Sequence, residues 1–505
     1  MISLLYLYDR AGRATHPAHI ADDLMLPRLL EADTVEFLLV TLKPDERIAR
    51  QQLFRLLELP EFIAAAKRLD ETLSAYSQSV AAFKNAANSI EGLLCFLGRC
   101  KIHLELHSRI LDLCALAERL AAEYKLDLPE TVTAVKSELM SEAATENELG
   151  QMAAECDGIA DILSNTGVEV TERGLSLTNI IDENLTERLC LVCETDTYKP
   201  RVVSHELRMP AELSVALAEL HHDDLRPLVA LRGEWEFRLD DSPLSLKDEL
   251  SFCFDIVRLI ERGRAAGFPT TYPELCEDKR FYAEDACDFS LLVKGCEVVP
   301  NDIDFDAASG SDICFLTGAN GGGKTAYLRC TAGNLLLALG GAPIFARRAS
   351  VYHFDHIVTH FPADEEFTNS GRLMEELTRV NSILAGLTAD SFVFMNETYS
   401  GADDRKGAEL TLETADKLKT LGCFSLWVTH FHEVVIAGYC CLTTLMGEDT
   451  AKRTFKIVRQ KPVYFVLTIA SSRRPTRRST TICVLARLSP ASVRTPNASA
   501  YFYRY

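Results

Sequence analysis

The chain has 505 residues, of which 47% are apolar, 25% charged and 8% aromatic, a composition typical of a globular protein with about two to four domains. Residues 1–450 carry a formal net charge of −32, which excludes a strong non-specific DNA-binding surface over most of this part, because phosphate contacts need Lys and Arg. No apolar run is long enough to span a bilayer, and the first residues lack the basic region and cleavage site of a signal peptide. We therefore expect a cytoplasmic protein without membrane contacts.

Residues 1–290 are predicted to form a mainly helical region. Two segments place apolar residues at steps of three and four, as on one face of a helix. Pro129 ends the first helix or starts the next, and Gly263 is expected to stop the second. The apolar positions are Leu106, Ile110, Leu113, Leu116 and Leu120 in the first segment, and Leu246, Leu250, Cys253, Val257 and Ile260 in the second.

The 16 cysteines follow no regular framework and are interpreted as reduced thiols. Cys190 and Cys193 form a single C-x-x-C pair in the helical region. A structural zinc site would need a second pair at suitable spacing, which the sequence lacks, so we interpret this pair as ordinary thiols.

From about residue 291 to residue 462, short apolar runs alternate with helix-like segments. This alternation predicts buried strands of a largely parallel α/β sheet, so the fold class is a helical region followed by an α/β domain. Residues 463–505 contain no acidic residue and are rich in Arg, Ser, Thr and Pro, which predicts a basic tail that is disordered or poorly packed.

The segment Gly318-Ala319-Asn320-Gly321-Gly322-Gly323-Lys324-Thr325 matches the phosphate-binding pattern G-x-x-x-x-G-K-[ST] in full, between an apolar run and a helical segment. Glycines let backbone N–H groups close around phosphate oxygens, and a helix N-terminus adds positive partial charge. We expect Lys324 to reach the β- and γ-phosphates of a nucleotide and the Thr325 hydroxyl to bind Mg²⁺.

Two further polar sites each follow an apolar run and would lie at the carboxyl edge of the same sheet. In the first, Glu397 is the candidate to polarise the attacking water, and Asn396 stands where an Asp normally supports Mg²⁺. Asn lacks the charge, so metal affinity and hydrolysis are expected to be weakened. In the second, His430 could contact the γ-phosphate or its water and report nucleotide state. We disfavour a metal site of His430, His432 and Glu433, because the two histidines would point to opposite faces of a continuing strand.

At these sites the chain resembles a MutS family ATPase, the mismatch-repair branch of the ABC-like P-loop proteins. The resemblance covers about residues 290–462 and rests on "VVPNDIDF", "TGANGGGKTAYLR", the signature-like "TNSGRLMEELTRVNSIL" and the switch-like "VTHFHEV". The LSGGQ of transporter ATPases is not in the sequence. The helical part, including "LFRLLELPEF", resembles the family's core and lever region more loosely.

The resemblance implies an ABC-like P-loop ATPase domain over residues 291–462, ATP and Mg²⁺ as cofactors, and a homodimer with ATP between the subunits. Ser370 would reach across to the partner's nucleotide, Val299 would pack near the adenine, and Arg329 would be structural. The remaining roles implied are phosphate binding by Gly318, Ala319, Asn320, Gly321, Gly322, Gly323, Lys324 and Thr325; catalysis by Glu397 with His430 as the switch; and metal support by Thr325, Asn396 and Glu397.

The sequence departs from the family pattern at both ends. Members that read mismatches carry two further N-terminal domains, one with a Phe-x-Glu wedge, and residues 1–317 leave no room for them beside a core and levers. Branched or junction DNA, or simple clamp behaviour, is therefore as compatible as mismatch reading. After residue 462 the text no longer resembles the family's dimer-completing helices, which suggests a shifted reading frame or an aberrant terminus.

Two functions remain open from the sequence. The first is an ATP-hydrolysing, dimeric protein that clamps mismatched or branched DNA, favoured by the signature and switch segments. The second is a nucleotide-sensing scaffold with weak or no hydrolysis that acts through protein contacts, favoured by Asn396 and the acidic body.

Overall fold

The computed structural model describes residues 2–9, 12–86, 90–165, 168–171, 174–177, 183–195, 211–293, 298–361, 369–431, 433–434, 437–446 and 455–459. The chain divides into two compact units, a helical unit of residues 1–11 and 45–257 and a second unit of residues 12–44 and 258–505. The basic tail predicted for residues 463–505 lies outside the described residues. Within the described part, no helix is both long enough and apolar enough to cross a membrane.

The α-helices of the described part run, in chain order, as α1 (Ile20–Asp23), α2 (Ala32–Leu39), α3 (Pro44–Leu57), α4 (Pro60–Ala86), α5 (Ile90–Tyr124), α6 (Glu130–Ser141), α7 (Ala143–Glu155), α8 (Ile159–Asn165), α9 (Glu183–Val192), α10 (Ala211–Leu220), α11 (Arg226–Trp235), α12 (Ser245–Ala265), α13 (Lys324–Leu339), α14 (Asn369–Ala385) and α15 (Asp404–Leu421). The strands run as β1 (Val168–Thr171), β2 (Gly174–Leu177), β3 (Glu274–Cys276), β4 (Arg280–Ala286), β5 (Asn301–Asp306), β6 (Ile313–Thr317), β7 (Arg348–Tyr352), β8 (His356–His360), β9 (Ser391–Asn396), β10 (Phe424–Val428), β11 (Cys440–Met446) and β12 (Phe455–Arg459).

The helical unit is organised around its two longest helices, α4 and α5, which pack against each other. Helices α6, α7 and α11 also pack on α5. The apolar stripe predicted from the spacing lies on α5: Leu106, Ile110, Leu113 and Leu120 are buried and Leu116 is partly buried. Pro129 immediately precedes α6, where its fixed φ and missing N–H cost a helix nothing.

The second unit contains a six-stranded sheet in the order β12-β11-β6-β10-β9-β8. All neighbours in it are parallel except β11 and β12, which pair antiparallel. Every residue of β6, β9 and β10 is buried, which explains why these strands appear in the sequence as unbroken apolar runs rather than as alternating patterns. The chain thus combines helices with an α/β sheet that is largely parallel, as the sequence predicts.

A four-stranded sheet in the order β3-β7-β4-β5 belongs to the same unit. Strand β12 of the larger sheet reaches β5 of the smaller one: Lys456 Nζ donates to the Pro300 carbonyl at 2.8 Å, Ile457 N donates to Asn301 Oδ1 at 2.8 Å, and Arg459 pairs with Asp304 at 3.0 Å. The two sheets are therefore joined directly at the edge strand β12.

Residues 258–290 group with the sheets and not with the helical unit, because β4 pairs with both β5 and β7. Helix α12 also continues past Gly263 to Ala265, so this glycine is not the stop that the sequence predicts. A Cβ at residue 263 would lie 2.1 Å from the Phe345 ring, so the glycine instead permits a close approach between α12 and that ring.

Candidate nucleotide site

The glycine-rich loop of residues 318–323 connects the carboxyl end of β6 to the first turn of α13. Three of its glycines have positive φ: 139° at Gly318, 77° at Gly321 and 80° at Gly323. Gly323 is the residue before α13 and adopts the left-handed conformation there. Side chains other than glycine rarely adopt these angles, so the loop conformation itself requires this composition.

Thr444 of β11 packs against this loop at Gly318 and Gly322. A Cβ at Gly318 would approach its Oγ1 to 2.2 Å, and one at Gly322 would approach it to 2.9 Å. Sequence reasoning missed Thr444, because the pairing of β11 with β6 that brings it here is not encoded in any local pattern. The fit leaves space for a backbone cradle but for no added side-chain carbon at these two positions.

Lys324 is the first residue of α13 and is buried. Its Nζ donates to the carbonyls of Gly318 at 2.9 Å and Ala319 at 3.2 Å, and lies 3.4 Å from Asn320 Oδ1. The ammonium group is thus held within the loop, where a full positive charge adds to the partial charge of the helix N-terminus.

Thr325 and Asn396 come together across the edge of the sheet, with Thr325 Oγ1 donating to Asn396 Oδ1 at 3.3 Å. Asn396 ends β9 and is only 8% exposed, whereas Glu397, the next residue, is partly exposed. Glu397 has a φ of 50° and its N–H donates to the Val428 carbonyl at 2.8 Å. This unusual backbone conformation turns the chain sharply where the strand ends.

His430 follows β10 by two residues and is exposed. Its ring centroid lies 4.3 Å from that of Phe431, which is buried. The preceding Thr429 N–H donates to the Leu316 carbonyl at 3.1 Å, which ties this segment to the end of β6. His432 lies outside the described residues, and among the described side chains neither His430 nor Glu433 belongs to a group of three possible metal ligands.

The remaining predicted residues are not brought into this group by the described contacts. Ser370 belongs to the first turn of α14, and its side chain is outside what the structure describes. Val299 is half-buried before β5, where its carbonyl accepts a hydrogen bond from Asn301 Nδ2 at 3.0 Å. Arg329 donates to the Asp23 carbonyl at 2.8 Å, a contact that links α13 to the end of α1.

His360, at the carboxyl end of β8, is a residue that sequence reasoning did not single out. It is 1% exposed, and its Nδ1 lies 3.1 Å from Oγ1 of Thr398, which follows Glu397. Burial, with Arg379 as a smaller contribution, lowers the pKa of His360 to about 4, so the ring is neutral at pH 7. The only sequence signal was a polar residue ending an apolar run, as at β9.

Comparison with known proteins finds a family model that matches the segment carrying this site. Residues 314–465 match the family model for MutS domain V, and that domain is the family's ATPase domain. The segment includes the glycine-rich loop from Gly318, the β9 edge with Asn396 and Glu397, and His430.

Individual relatives align with this chain over segments of similar length. The chain is 34% identical over 166 residues to Endonuclease MutS2 of Fusobacterium nucleatum, covering 32% of this chain and 21% of that protein. It is 31% identical over 147 residues to the DNA mismatch repair protein MutS of Myxococcus xanthus, covering 29% and 16%. For the mitochondrial DNA mismatch repair protein MSH1 of Arabidopsis thaliana, the values are 30% identity over 140 residues, 26% and 12%.

The aligned segments thus span between 12% and 21% of the length of these three relatives. Over residues 314–465, the chain matches domain V of the MutS family.

Proposed function

We propose that this protein is a DNA-dependent ATPase of the MutS type, which binds and hydrolyses ATP at a dimer interface and couples this to clamping of mismatched or branched DNA. The observation that carries the proposal is the meeting of Thr325, the P-loop threonine, with Asn396 at one sheet edge, inside a segment that matches MutS domain V. The relatives' names connect that family with DNA mismatch repair.

The residues present fit a nucleoside triphosphate. Three glycines of the loop have positive φ, and the buried Lys324 ammonium lies within the loop. In this role Lys324 exchanges its loop carbonyls for phosphate oxygens, and the backbone N–H groups of the loop close around the same charge. The proposed domain is an ABC-like P-loop fold over residues 291–462, with residues 1–290 as core and levers.

The oxygen donors also fit Mg²⁺, which prefers hydroxyl, amide and carboxylate ligands. Thr325 Oγ1 and Asn396 Oδ1 are already neighbours, and Glu397 follows directly. Thr325, Asn396 and Glu397 would hold Mg²⁺, which would offset the negative charge of the phosphates. Glu397 orients and polarises the attacking water, and His430, exposed beyond β10, senses the γ-phosphate side of the site.

The dimer completes the site in this proposal. Ser370, in the first turn of α14, reaches the nucleotide of the partner subunit, and Val299 packs near the adenine. ATP then binds between two subunits, and the protein acts in the cell compartment that contains DNA.

A specific observation favours a second function, a nucleotide-sensing scaffold. Asn396 provides no negative charge beside Thr325, which slows ATP hydrolysis without preventing nucleotide binding.

Steady-state ATP hydrolysis decides between them, measured with no DNA and with duplex, mismatched and branched DNA. The Glu397→Gln variant is the blank, because it keeps the shape of the side chain and removes the carboxylate. Stimulation of the wild type by one DNA form, lost in Glu397→Gln, supports the ATPase. A wild-type rate equal to the blank while ATP still binds overturns it in favour of the scaffold.

A further inference from the structure

A cavity of about 170 Å³ lies within the helical unit, remote in sequence from the nucleotide site. Its walls include His103 and His107 of α5, and Glu142 and Glu146 at the start of α7. Each pair is spaced by four residues, so each pair lies on one face of its helical segment. Two imidazoles therefore face two carboxylates across the α5–α7 contact.

Three of these side chains have the geometry of metal ligands. His107, Glu142 and Glu146 each offer a ligand atom, and these atoms lie within 4.8 Å of one another. One imidazole nitrogen with two carboxylate oxygens is a donor set typical of zinc and related divalent ions. We propose that His107, Glu142 and Glu146 bind one divalent transition-metal ion of the zinc class, with a further coordination position left for water.

Unsatisfied atoms provide an independent reason for a ligand here. His107 Nε2 and Glu146 Oε2 are both buried, and neither has a hydrogen-bond partner among the described residues. Buried polar atoms without partners destabilise a folded protein, so they are rare unless something else satisfies them. A metal ion coordinated by these two atoms would satisfy both at once.

The hydrogen bonds of His103 fix the orientation of Glu146. His103 Nε2 lies 3.1 Å from Glu146 Oε1, and its Nδ1 lies 3.3 Å from Tyr76 Oη. Tyr76 in turn donates a hydrogen bond to Asp241 Oδ1 at 2.8 Å. One oxygen of Glu146 is therefore held by His103, and the other is left for the metal. This makes His103 a positioning residue.

The charges of the cluster also favour a cation. Glu142 and Glu146 place two carboxylates beside the imidazole of His107. Arg238 lines the same cavity, but its guanidinium already bonds Glu234 at 3.0 Å and Glu148 at 3.3 Å. Its charge is therefore opposed locally and does not cancel that of the cluster.

Co²⁺, a spectroscopic substitute for Zn²⁺, tests the proposal on the full chain under reducing conditions. We expect one equivalent to bind with visible absorption from nitrogen and oxygen ligands and without a sulfur-to-cobalt band. His107→Ala and Glu146→Gln should each weaken binding by at least about 100-fold, and His103→Ala by about 10–100-fold, as for residues that orient a ligand. His222→Ala, which removes an exposed imidazole, should leave the titration unchanged.

Two results would overturn the site. One is a thiolate-type Co²⁺ spectrum that Cys190→Ser abolishes, which would assign the metal to the C-x-x-C pair. The other is equal affinity in wild type and His107→Ala, or no Co²⁺ uptake by either. Circular dichroism establishes that each variant is folded; if His107→Ala is not, Glu142→Gln, at a half-buried position before α7, replaces it in the comparison.

Discussion

The Asn396 amide oxygen accepts a hydrogen bond from the Thr325 hydroxyl at 3.3 Å, at a position where a carboxylate would add a negative charge beside the proposed metal ligand. Asn396→Asp changes almost nothing but that charge. We expect it to tighten Mg²⁺ binding in the presence of ATP by about tenfold, roughly 1.4 kcal/mol. A Mg²⁺ titration of nucleotide binding measures this. If the two titrations coincide, residue 396 does not face the metal.

Lys324 is buried with its ammonium group on the loop carbonyls. Removing it in Lys324→Ala should weaken ATP binding by at least about 100-fold, because hydrogen bonds from charged donors to phosphate are among the strongest in proteins. Equilibrium binding of a fluorescent ATP analogue checks this. Lys417→Ala on α15 removes an exposed ammonium group and should bind as the wild type does. Undiminished binding by Lys324→Ala would contradict the phosphate assignment.

His360 makes the stability of the second unit depend on pH. Its pKa is lowered from 6.5 to about 4, so below pH 6.5 the unfolded chain takes up a proton that the folded chain does not. Stability contributed by the neutral, buried ring is therefore lost as pH falls from 6.5 towards 4, by up to about 1.4 kcal/mol per pH unit.

The His360→Gln variant removes this titration, so its urea unfolding should depend less steeply on pH than that of the wild type. Trp427, buried in the second unit, is the reporter in a Trp235→Phe background, because the sequence has only two tryptophans. The pKa of His356 is also lowered by burial, but that residue is common to both proteins and cancels in the difference. Equal slopes would mean that His360 titrates normally.

At the scale of elements, the strands carrying motifs could be predicted, and their neighbours could not. β6, β9 and β10 are continuous apolar runs. Helix α15 has residues typical of a helix start and a helix end: Asp403 accepts a hydrogen bond from Lys406 N at 3.0 Å at the start, and Gly422 adopts the left-handed conformation at the end. Thr444 and His360 were missed because their importance arises from strand order, a tertiary property. β3 and β4 were missed because their residues are only partly apolar and lack strict alternation.

Gly407 controls how α15 is seated against the segment that carries His430. A Cβ at residue 407 would lie 2.2 Å from the Phe431 ring, which is buried next to His430. Gly407→Ala should therefore destabilise the second unit by about 1–3 kcal/mol despite the better helix propensity of alanine.

Differential scanning calorimetry measures the effect against a matched control. Gly233→Ala is the same substitution in helix α11, where a Cβ would meet no atom within 4 Å, and it should be neutral or stabilising by up to about 1 kcal/mol. A Gly407→Ala protein that melts at the wild-type temperature would mean that Phe431 moves aside freely.

At the scale of the whole molecule, most of the surface is too acidic to bind DNA. The proposed DNA function therefore requires a local basic surface, to which both subunits of the proposed dimer would contribute. The formal charge of −20 over the 505 residues favours a salt-sensitive, restricted DNA contact and not a wrapped duplex. The aligned segment constrains the ATPase part alone, so oligomeric state is a direct test of the larger proposal.

We expect the 56.1 kDa Glu397→Gln chain to dimerise when ATP and Mg²⁺ are added, because binding without hydrolysis holds the closed state. Sedimentation velocity should show the mass doubling. Ser370→Arg, in the first turn of α14, should block dimerisation and retain ATP binding. Ser382→Arg, at an exposed position later on the same helix, should leave both dimerisation and ATP binding intact. A monomer under all conditions would rule out the shared site.

The contact between Thr444 and the glycines has a mechanical consequence. A side-chain carbon added at Gly318 or Gly322 would press on Thr444, which lies on β11, and β11 pairs with β12 from Leu442 to Met446. Strand β12 in turn grips the smaller sheet through Lys456 and Arg459. The loop, the edge strands β11 and β12 and strand β5 are therefore linked by one continuous series of direct contacts, so a substitution at Gly318 or Gly322 would disturb packing beyond the loop itself.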